Sequence, residues 1–349
     1  MQIDKKYMHR CLQLAKKGLG NTAPNPMVGA VLVYNDNIIG EGFTSEYGGN
    51  HAEVNCINSV KPEHVKFISK ATLYVSLEPC SHFGKTPPCS NLIVASKIPK
   101  VIIGALDTNE LVSGKGVKHL KENGIEVTTG VLEKECLAVN KRFFTFYNKK
   151  RPYIILKWAK SKDDFIGKLR KDKAEPIWIS NQQSQQLVHL WRAQEQGILV
   201  GTNTVLSDNP SLTTRNVAGK NPVRIILDRS LRIPKNFTVL DGSVKTIVLT
   251  EKEKKSGKTV FYETINFSDL IEEIIRILVK HEIQSVIVEG GKQTLDTFIK
   301  YGIWDEARIF TGNILLKNGI KSPVLNNKKL IKQTIIDSDF LNYYEKEEK

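Results

Sequence analysis

The sequence has no run of 18 or more apolar residues, so nothing in it reads as a membrane-spanning helix. Its first residues, Met1-Gln2-Ile3-Asp4-Lys5-Lys6, carry charge with no apolar core behind it, which is not the pattern of a secretory signal. Cysteine is scarce: there are five in 349 residues, an odd number and no disulfide framework. A metal motif takes two of them, and Cys11, Cys56 and Cys136 are expected to be reduced packing residues, which points to the cytoplasm. Internal repeats are also missing. What remains is ordinary: 40% hydrophobic and 25% charged residues describe a globular chain, and the length suits two domains.

The informative stretch is His51-Ala52-Glu53, followed by Pro79-Cys80-Ser81-His82-Phe83-Gly84-Lys85-Thr86-Pro87-Pro88-Cys89. One imidazole and two thiols make a three-ligand set for zinc and leave a fourth tetrahedral position open, as catalytic sites require. Zinc deaminases share the signature H-x-E…P-C-x-x-C; here eight residues, not two, separate the cysteines. Zinc lowers the pKa of its water to roughly 7, giving a nucleophile for an amidine-like ring carbon. Glu53 is placed to carry protons to the leaving amine as a general acid/base without ligating the metal. In mid-helix, residues two apart face different sides, so His51 and Glu53 can converge only near a helix start. Gly48-Gly49-Asn50 supplies one. Singly, each residue reads as a surface histidine or a packed thiol; as a set they specify a catalytic metal. His82 is a rival ligand, but as an extra histidine between the thiols it reads better as facing substrate.

Apolar periodicity predicts a helix over 4–18, a hairpin from Val28 to Tyr34 and Ile38 to Phe43, and a helix starting near His51. A strand over 71–77 delivers Glu78-Pro79-Cys80, and a helix is expected over 89–95. Further elements are strands at 101–105 and 125–128, a helix at 116–122 and one closing helix over 132–146. This alternation predicts a layered α/β domain with a mostly parallel sheet. The charged, proline-ended stretch Asn148-Lys149-Lys150-Arg151-Pro152 marks the boundary between domains 1–148 and 149–349. The second half predicts strands at 153–158, 197–200, 223–227, 246–249 and 285–288. Its helices are expected at 181–192, begun by Ser180, at 270–280 and from about Leu295, with a closing β region from Asp305.

Net charge is +14, of which residues 1–148 hold +4 and the remainder +10. A nucleic-acid deaminase would carry its positive field on the deaminase half, so the distribution fits a phosphorylated small molecule better. In the second half, Gly290-Gly291-Lys292-Gln293-Thr294 follows a strand and opens a helix, a geometry that lets backbone N–H groups face a phosphate. Gly201-Thr202-Asn203-Thr204 is a second such turn. Neither is G-x-G-x-x-G, so a dinucleotide-binding Rossmann unit is not supported.

Several segments together closely resemble the family of bifunctional riboflavin-biosynthesis deaminase-reductases. In the first half they are Pro24-Asn25-Pro26-Met27-Val28-Gly29, His51-Ala52-Glu53 and the segment from Pro79 to Cys89. In the second half they are Leu156-Lys157 with Ser161, Trp178-Ile179-Ser180 and Leu190-Trp191-Arg192-Ala193. Gly201 through Pro210 with Leu212 and Arg215, Arg224 to Asp228, and Val288-Glu289-Gly290-Gly291 complete the match. The resemblance implies a three-layer cytidine-deaminase-like domain followed by a dihydrofolate-reductase-like α/β domain. It implies zinc on His51, Cys80 and Cys89, proton shuttling by Glu53, and pyrimidine and ribosyl-phosphate contacts from Asn25, Ser81 and His82. It further implies that Lys157, Arg192, Leu212, Arg215 and Glu289 hold the reductase substrate. NADPH would lie on Ala159, Trp178, Thr204, Asp208 and the turn Gly290, Gly291, Lys292, Gln293, Thr294, Leu295. The expected partner is a phosphorylated pyrimidine, with no nucleic acid and no membrane, and the expected assembly is a homo-oligomer. Arg192 and Arg215, as forked donors, also suit a phosphate on physical grounds.

The chain departs from the family where Ser161-Lys162-Asp163-Asp164 replaces Ser-Leu-Asp-Gly, and the loop at 168–176 is lysine-rich. These departures leave a second reading, a deaminase with an impaired reductase half. A third is a nucleic-acid-binding zinc deaminase.

Overall fold

A stripe of Tyr7, Met8, Cys11, Leu12 and Ala15, spaced three and four apart, makes α1 (Gln2–Lys16) amphipathic and buries one of its faces. In the computed structural model, residues 2–81, 87–107, 113–168 and 178–347 are described, and the chain divides into two compact units after Lys150. The first unit is built on a five-stranded sheet of order β2-β1-β3-β4-β5. Its strands are β1 (Gly29–Tyr34), β2 (Asn37–Phe43), β3 (Thr72–Leu77), β4 (Lys100–Ala105) and β5 (Glu126–Thr128). The β1–β2 hairpin turns at Asn35 and Asp36, both at positive φ (47° and 60°), which these residues tolerate and which matches strand twist. Both neighbours of β1 are antiparallel to it, while β3, β4 and β5 run parallel. The sheet is therefore mixed, not mostly parallel as expected. A two-residue hairpin turn leaves no length for the crossover that a parallel β1–β2 pair would need.

The helices of this unit are α2 (Ala52–Asn58), α3 (Cys89–Ala95), α4 (Lys115–Glu122), α5 (Glu133–Val139) and α6 (Lys141–Lys149). The single closing helix expected over 132–146 is thus two. It breaks at Asn140, whose buried side chain accepts from Met27 N–H at 2.8 Å and donates to Met27 O at 2.9 Å. An amide that can satisfy another backbone segment in this way competes with helix continuation.

The second unit runs β6 (Tyr153–Lys160), β7 (Phe165–Gly167), α7 (Gln182–Gln194), β8 (Gly197–Gly201), α8 (Thr202–Asp208), β9 (Val223–Leu227), β10 (Thr246–Thr250) and β11 (Val260–Thr264). It continues with α9 (Leu270–Lys280), β12 (Ser285–Val288), α10 (Lys292–Tyr301), β13 (Glu306–Thr311), β14 (Ile320–Lys321), β15 (Lys328–Ile336) and β16 (Asp339–Lys346). Its main sheet has the order β11-β10-β9-β8-β12-β6-β13-β16-β15, parallel from β11 to β13 and antiparallel in the last hairpin. The stretches Tyr153 to Leu156 of β6 and Val286 to Val288 of β12 are continuous apolar runs because both faces of these central strands are covered. Leu156 and Val288 pack with Ile274 of α9 and Phe298 of α10, whereas Ile155 and Ile287 pack with Val188 and Trp191 of α7. The cap of α7 is Asn181, whose side chain accepts from Ser184 N–H at 2.8 Å, and not the expected Ser180. α10 opens at Lys292, three residues before the expected start. No helix of the described residues is long and apolar enough to cross a membrane.

Candidate functional site

α2 starts one residue after His51, whose extended backbone (φ −72°, ψ 165°) places it at the cap. The cap residue projects outside the helix while Glu53, in the first turn, is buried. Gly42 of β2 permits this seat, because a Cβ there would come within 2.3 Å of Cys56 N and 2.4 Å of Ala52 O. Cys80 follows the end of β3, and Cys89 is the first residue of α3. The three side chains converge: His51 Nδ1 is 3.6 Å from Cys80 Sγ and 3.4 Å from Cys89 Sγ. Tetrahedral zinc with ordinary Zn–S and Zn–N lengths would set N···S separations of about 3.6 Å, so the trio fits the ion. Among the described residues no fourth His, Cys, Asp or Glu joins the group, which leaves one corner for water or substrate.

The two thiols share a proton: the hydrogen bond from the Cys89 thiol, then the one with the His51 ring, lowers the Cys80 pKa, while the same Cys80 contact and burial push the Cys89 thiol up. The Cys89 backbone N–H also donates to Cys80 Sγ at 3.3 Å. Burial, then the neighbouring Cys80, pushes the Glu53 carboxyl up to about 7, and this carboxyl also hydrogen-bonds the Cys89 thiol. Glu53 therefore faces the same small volume as the sulfurs.

Two supports were not foreseen from the sequence. Glu78, just before Pro79-Cys80, is buried and accepts from the backbone N–H groups of Asp107 (3.2 Å), Gly114 (3.0 Å) and Val117 (3.2 Å). It ties the cysteine-bearing end of β3 to the start of α4. Asn140 likewise clamps Met27, beside the Asn25 loop. Asn25 itself is half-buried and its N–H donates to Thr22 O at 2.9 Å; among the described residues no hydrogen bond joins its side chain to the trio. Ser81 is half-buried next to Cys80. His82 lies outside the described residues.

In the second unit, Lys157 on β6, Arg192 on α7 and Glu289 after β12 form one buried cluster. Arg192 Nη2 donates to Glu289 Oε2 at 2.9 Å, and Lys157 Nζ is 4.0 Å from the same oxygen. Burial opposes ionisation of Glu289, but Arg192 and Lys157 outweigh it and hold the carboxyl at about 2. Burial lowers the Lys157 pKa, with Glu289 countering. Glu289 Oε1 and Arg192 Nε are buried with no partner among the described residues, so a ligand or water entering the cluster would find one acceptor and one donor unused.

The two glycine turns expected to hold phosphate meet at the C-terminal ends of the adjacent parallel strands β8 and β12. Thr204 Oγ1 accepts from Gly291 N–H at 2.7 Å. A Cβ on Gly290 would lie 2.9 Å from Gly201 N and 3.0 Å from Val200 Cα, so only glycine allows the approach. Ligands of α/β sheets bind at such strand ends. Within α10, Leu295 belongs to the core and Lys292 pairs with Asp296 at 2.6 Å, so the turn offers its backbone more than its side chains. Ala159 sits on the same strand as Lys157, Asp208 ends α8 with its Oδ1 accepting from Ser207 Oγ at 2.8 Å, and Trp178 is 64% exposed. Leu212 is buried, and Arg215 Nη1 donates to Ser211 Oγ. The altered turn is built after all: Asp164 takes φ of 65° where a glycine was lost, and Asp163 accepts from Leu316 N–H at 3.0 Å and Lys317 N–H at 2.7 Å. Of the lysine-rich loop at 168–176, all but Lys168 lies outside the described residues.

Comparison with known proteins agrees with this geometry. Residues 1–105 match the cytidine and deoxycytidylate deaminase zinc-binding region, and residues 152–333 match the RibD C-terminal domain. The chain is 41% identical to the riboflavin biosynthesis protein RibD of Aquifex aeolicus, covering 91% of this chain and 89% of the relative. It is 33% identical to that of Escherichia coli, covering 90% and 88%. A crystal structure from Thermotoga maritima superposes with a TM-score of 0.90, 38% identity and 99% coverage of both chains. That protein is described as a diaminohydroxyphosphoribosylaminopyrimidine deaminase and 5-amino-6-(5-phosphoribosylamino)uracil reductase. Acinetobacter baumannii RibD superposes with a TM-score of 0.87 at 31% identity, with 99% coverage of both.

Proposed function

The chain belongs to the family of bifunctional riboflavin-biosynthesis deaminase-reductases, and from that premise we propose which of its residues carry the two steps. First, water replaces the 2-amino group of 2,5-diamino-6-(5-phosphoribosylamino)pyrimidin-4-one and ammonia leaves. Then the ribosyl side chain is reduced to ribityl with NADPH as reductant.

His51, Cys80 and Cys89 hold the metal in the deaminating site. Zinc bound there supplies the Lewis acidity that makes water nucleophilic at neutral pH. Glu53 accepts the proton that water gives up and returns one to the departing amine. Asn25, Ser81 and His82 hold the pyrimidine and its ribosyl-phosphate arm. The observation that carries this reading is the convergence of one ring nitrogen and two sulfurs at 3.4–3.6 Å beside a buried glutamate, with one corner left over.

In the reducing site, Lys157, Arg192, Leu212, Arg215 and Glu289 hold substrate, and the unpaired Glu289 Oε1 and Arg192 Nε offer it an acceptor and a donor. Ala159, Trp178, Thr204, Asp208 and the turn from Gly290 to Leu295 hold NADPH, which supplies the hydride. The intact Lys157–Arg192–Glu289 cluster and the left-handed Asp164 support a working reductase over an impaired one. The substrate is a phosphorylated pyrimidine and not a nucleic acid, a reading supported by the basic excess lying outside the deaminase half. A cytoplasmic location is supported by the three buried, unbridged cysteines outside the metal trio, Cys11, Cys56 and Cys136. A homo-oligomer is supported by the exposed Leu330, Ile331, Ile335 and Phe340 on β15–β16, and sedimentation of the full chain tests it. One coupled assay tests the whole reading: ammonia and NADPH consumption followed together on the diaminopyrimidine phosphate. Ammonia without NADPH oxidation would favour the deaminase-only reading.

A further inference from the structure

The loop from Asn209 to Arg215 carries two of the substrate residues, yet it is neither helix nor strand. Leu212 at its centre is buried with φ of 54°, a conformation uncommon for any residue with a Cβ. Such a backbone persists only where its surroundings over-determine it. On one side the fully buried Arg224 donates from Nε to Ser211 O at 2.9 Å. On the other side stands His189 of α7, a residue that no sequence motif singled out.

His189 Nδ1 lies 3.2 Å from Arg215 N and 3.2 Å from Thr213 O. One ring nitrogen cannot accept from the first and donate to the second at once. Thr213 O has another donor, Arg192 Nη1 at 3.3 Å, whereas His189 Nδ1 is the acceptor presented to the Arg215 N–H. Burial, then the charges of Arg192 and Arg215, lowers the imidazole pKa against the opposing pull of Thr213 O and Glu289, which favours the neutral ring.

We propose that His189 is a positioning residue of the reducing site: its Nδ1 holds the Arg215 amide and thereby fixes the loop that presents the Arg215 guanidinium to the substrate phosphate. The inference rests on Arg215 binding substrate, as read above. His189 itself touches no reacting atom, so its loss is a defect in substrate binding and not in hydride transfer.

Two variants separate the hydrogen bond from mere packing. His189→Asn keeps an acceptor near the Nδ1 position in a smaller side chain; His189→Leu keeps the bulk and removes the acceptor. The expected result is that His189→Leu raises KM for the deaminated phosphoribosyl substrate about tenfold, the worth of a charge-free buried hydrogen bond. Its kcat, its KM for NADPH and ammonia release stay as in the parent, and His189→Asn stays within about threefold in KM. Hydrogen exchange over residues 212–216 should lose protection in His189→Leu and keep it in His189→Asn. Equal KM values in the two variants, or full protection in His189→Leu, would overturn the proposal. Arg215→Ala, measured in parallel, distinguishes the premise: an unchanged KM there removes the substrate reading itself, whatever the exchange data show for His189.

Discussion

Arg192 and Lys157 address the same oxygen of Glu289, at 2.9 Å and 4.0 Å, while the other oxygen of that carboxylate is buried and unpaired among the described residues. Two cations on one side therefore hold the group ionised and leave its second oxygen unpaired. If Glu289 holds substrate as proposed above, the same two cations set both that contact and the acid stability of the second unit.

That coupling has a sign. Glu289 falls from its ordinary 4.5 to about 2 on folding, so folding favours its charged form. The associated stability is fully present above pH 4.5 and is lost as pH falls towards 2. Glu289→Gln should flatten the dependence of the second unit's Tm on pH between those limits. Parallel Tm-versus-pH curves for parent and variant would count against the assignment.

Glu53→Gln keeps shape and removes the proton carrier. Ammonia release should fall by about 10² to 10⁴-fold, the usual share of general acid/base catalysis, while bound zinc stays at the parent level. NADPH oxidation on pre-deaminated substrate should be unaffected. Retained turnover in the ammonia assay would remove Glu53 from its role.

Gly42→Val places a branched side chain where a Cβ already lies 2.3 Å from Cys56 N, so α2 must move off β2. Overpacking of this kind costs about 1–3 kcal/mol. The shift carries His51 and Glu53 with it, so zinc should be lost to a competing chelator at lower concentration than from the parent. NADPH oxidation by the second unit is the internal control.

Asp164 accepts positive φ at modest cost, and its carboxylate also pairs with Lys160. Asp164→Gly should therefore change stability by less than about 1 kcal/mol and leave reductase turnover within a few-fold of the parent. Asp164→Val, β-branched at φ of 65°, should destabilise the second unit by about 1–3 kcal/mol. A large gain of NADPH oxidation in Asp164→Gly would show that the departure from the family had impaired the enzyme.

The metal trio was legible because its chemistry confines it to a few residue types in two short segments, one opening α2 and one leading into α3. The strands at 223–227 and 285–288 and the helix at 270–280 were also readable, each being a strong apolar pattern bounded by polar turns. What escaped was long-range. Asn140 acts on Met27 across 113 positions, Glu78 on Val117 across 39, and His189 on Arg215 across 26. Local periodicity carries no trace of such partners, so the break of the closing helix could not be seen. Glu78 alone left a signal, a carboxylate at the end of a buried apolar strand and directly before the first cysteine. β11 escaped for a different reason: its flanking lysine-rich segment reads as loop, and the strand lies at the edge of the sheet.

The clamp of Asn140 on Met27 joins the two ends of the first unit's sequence. A chain made from its N-terminus contains all three trio residues once Cys89 has emerged, yet the bend beside Asn25 waits for a residue more than a hundred positions later. The metal trio and the anchor of the Asn25 loop thus draw on different lengths of the chain. A fragment ended before Asn140 would keep His51, Cys80 and Cys89 but lose the clamp on Met27.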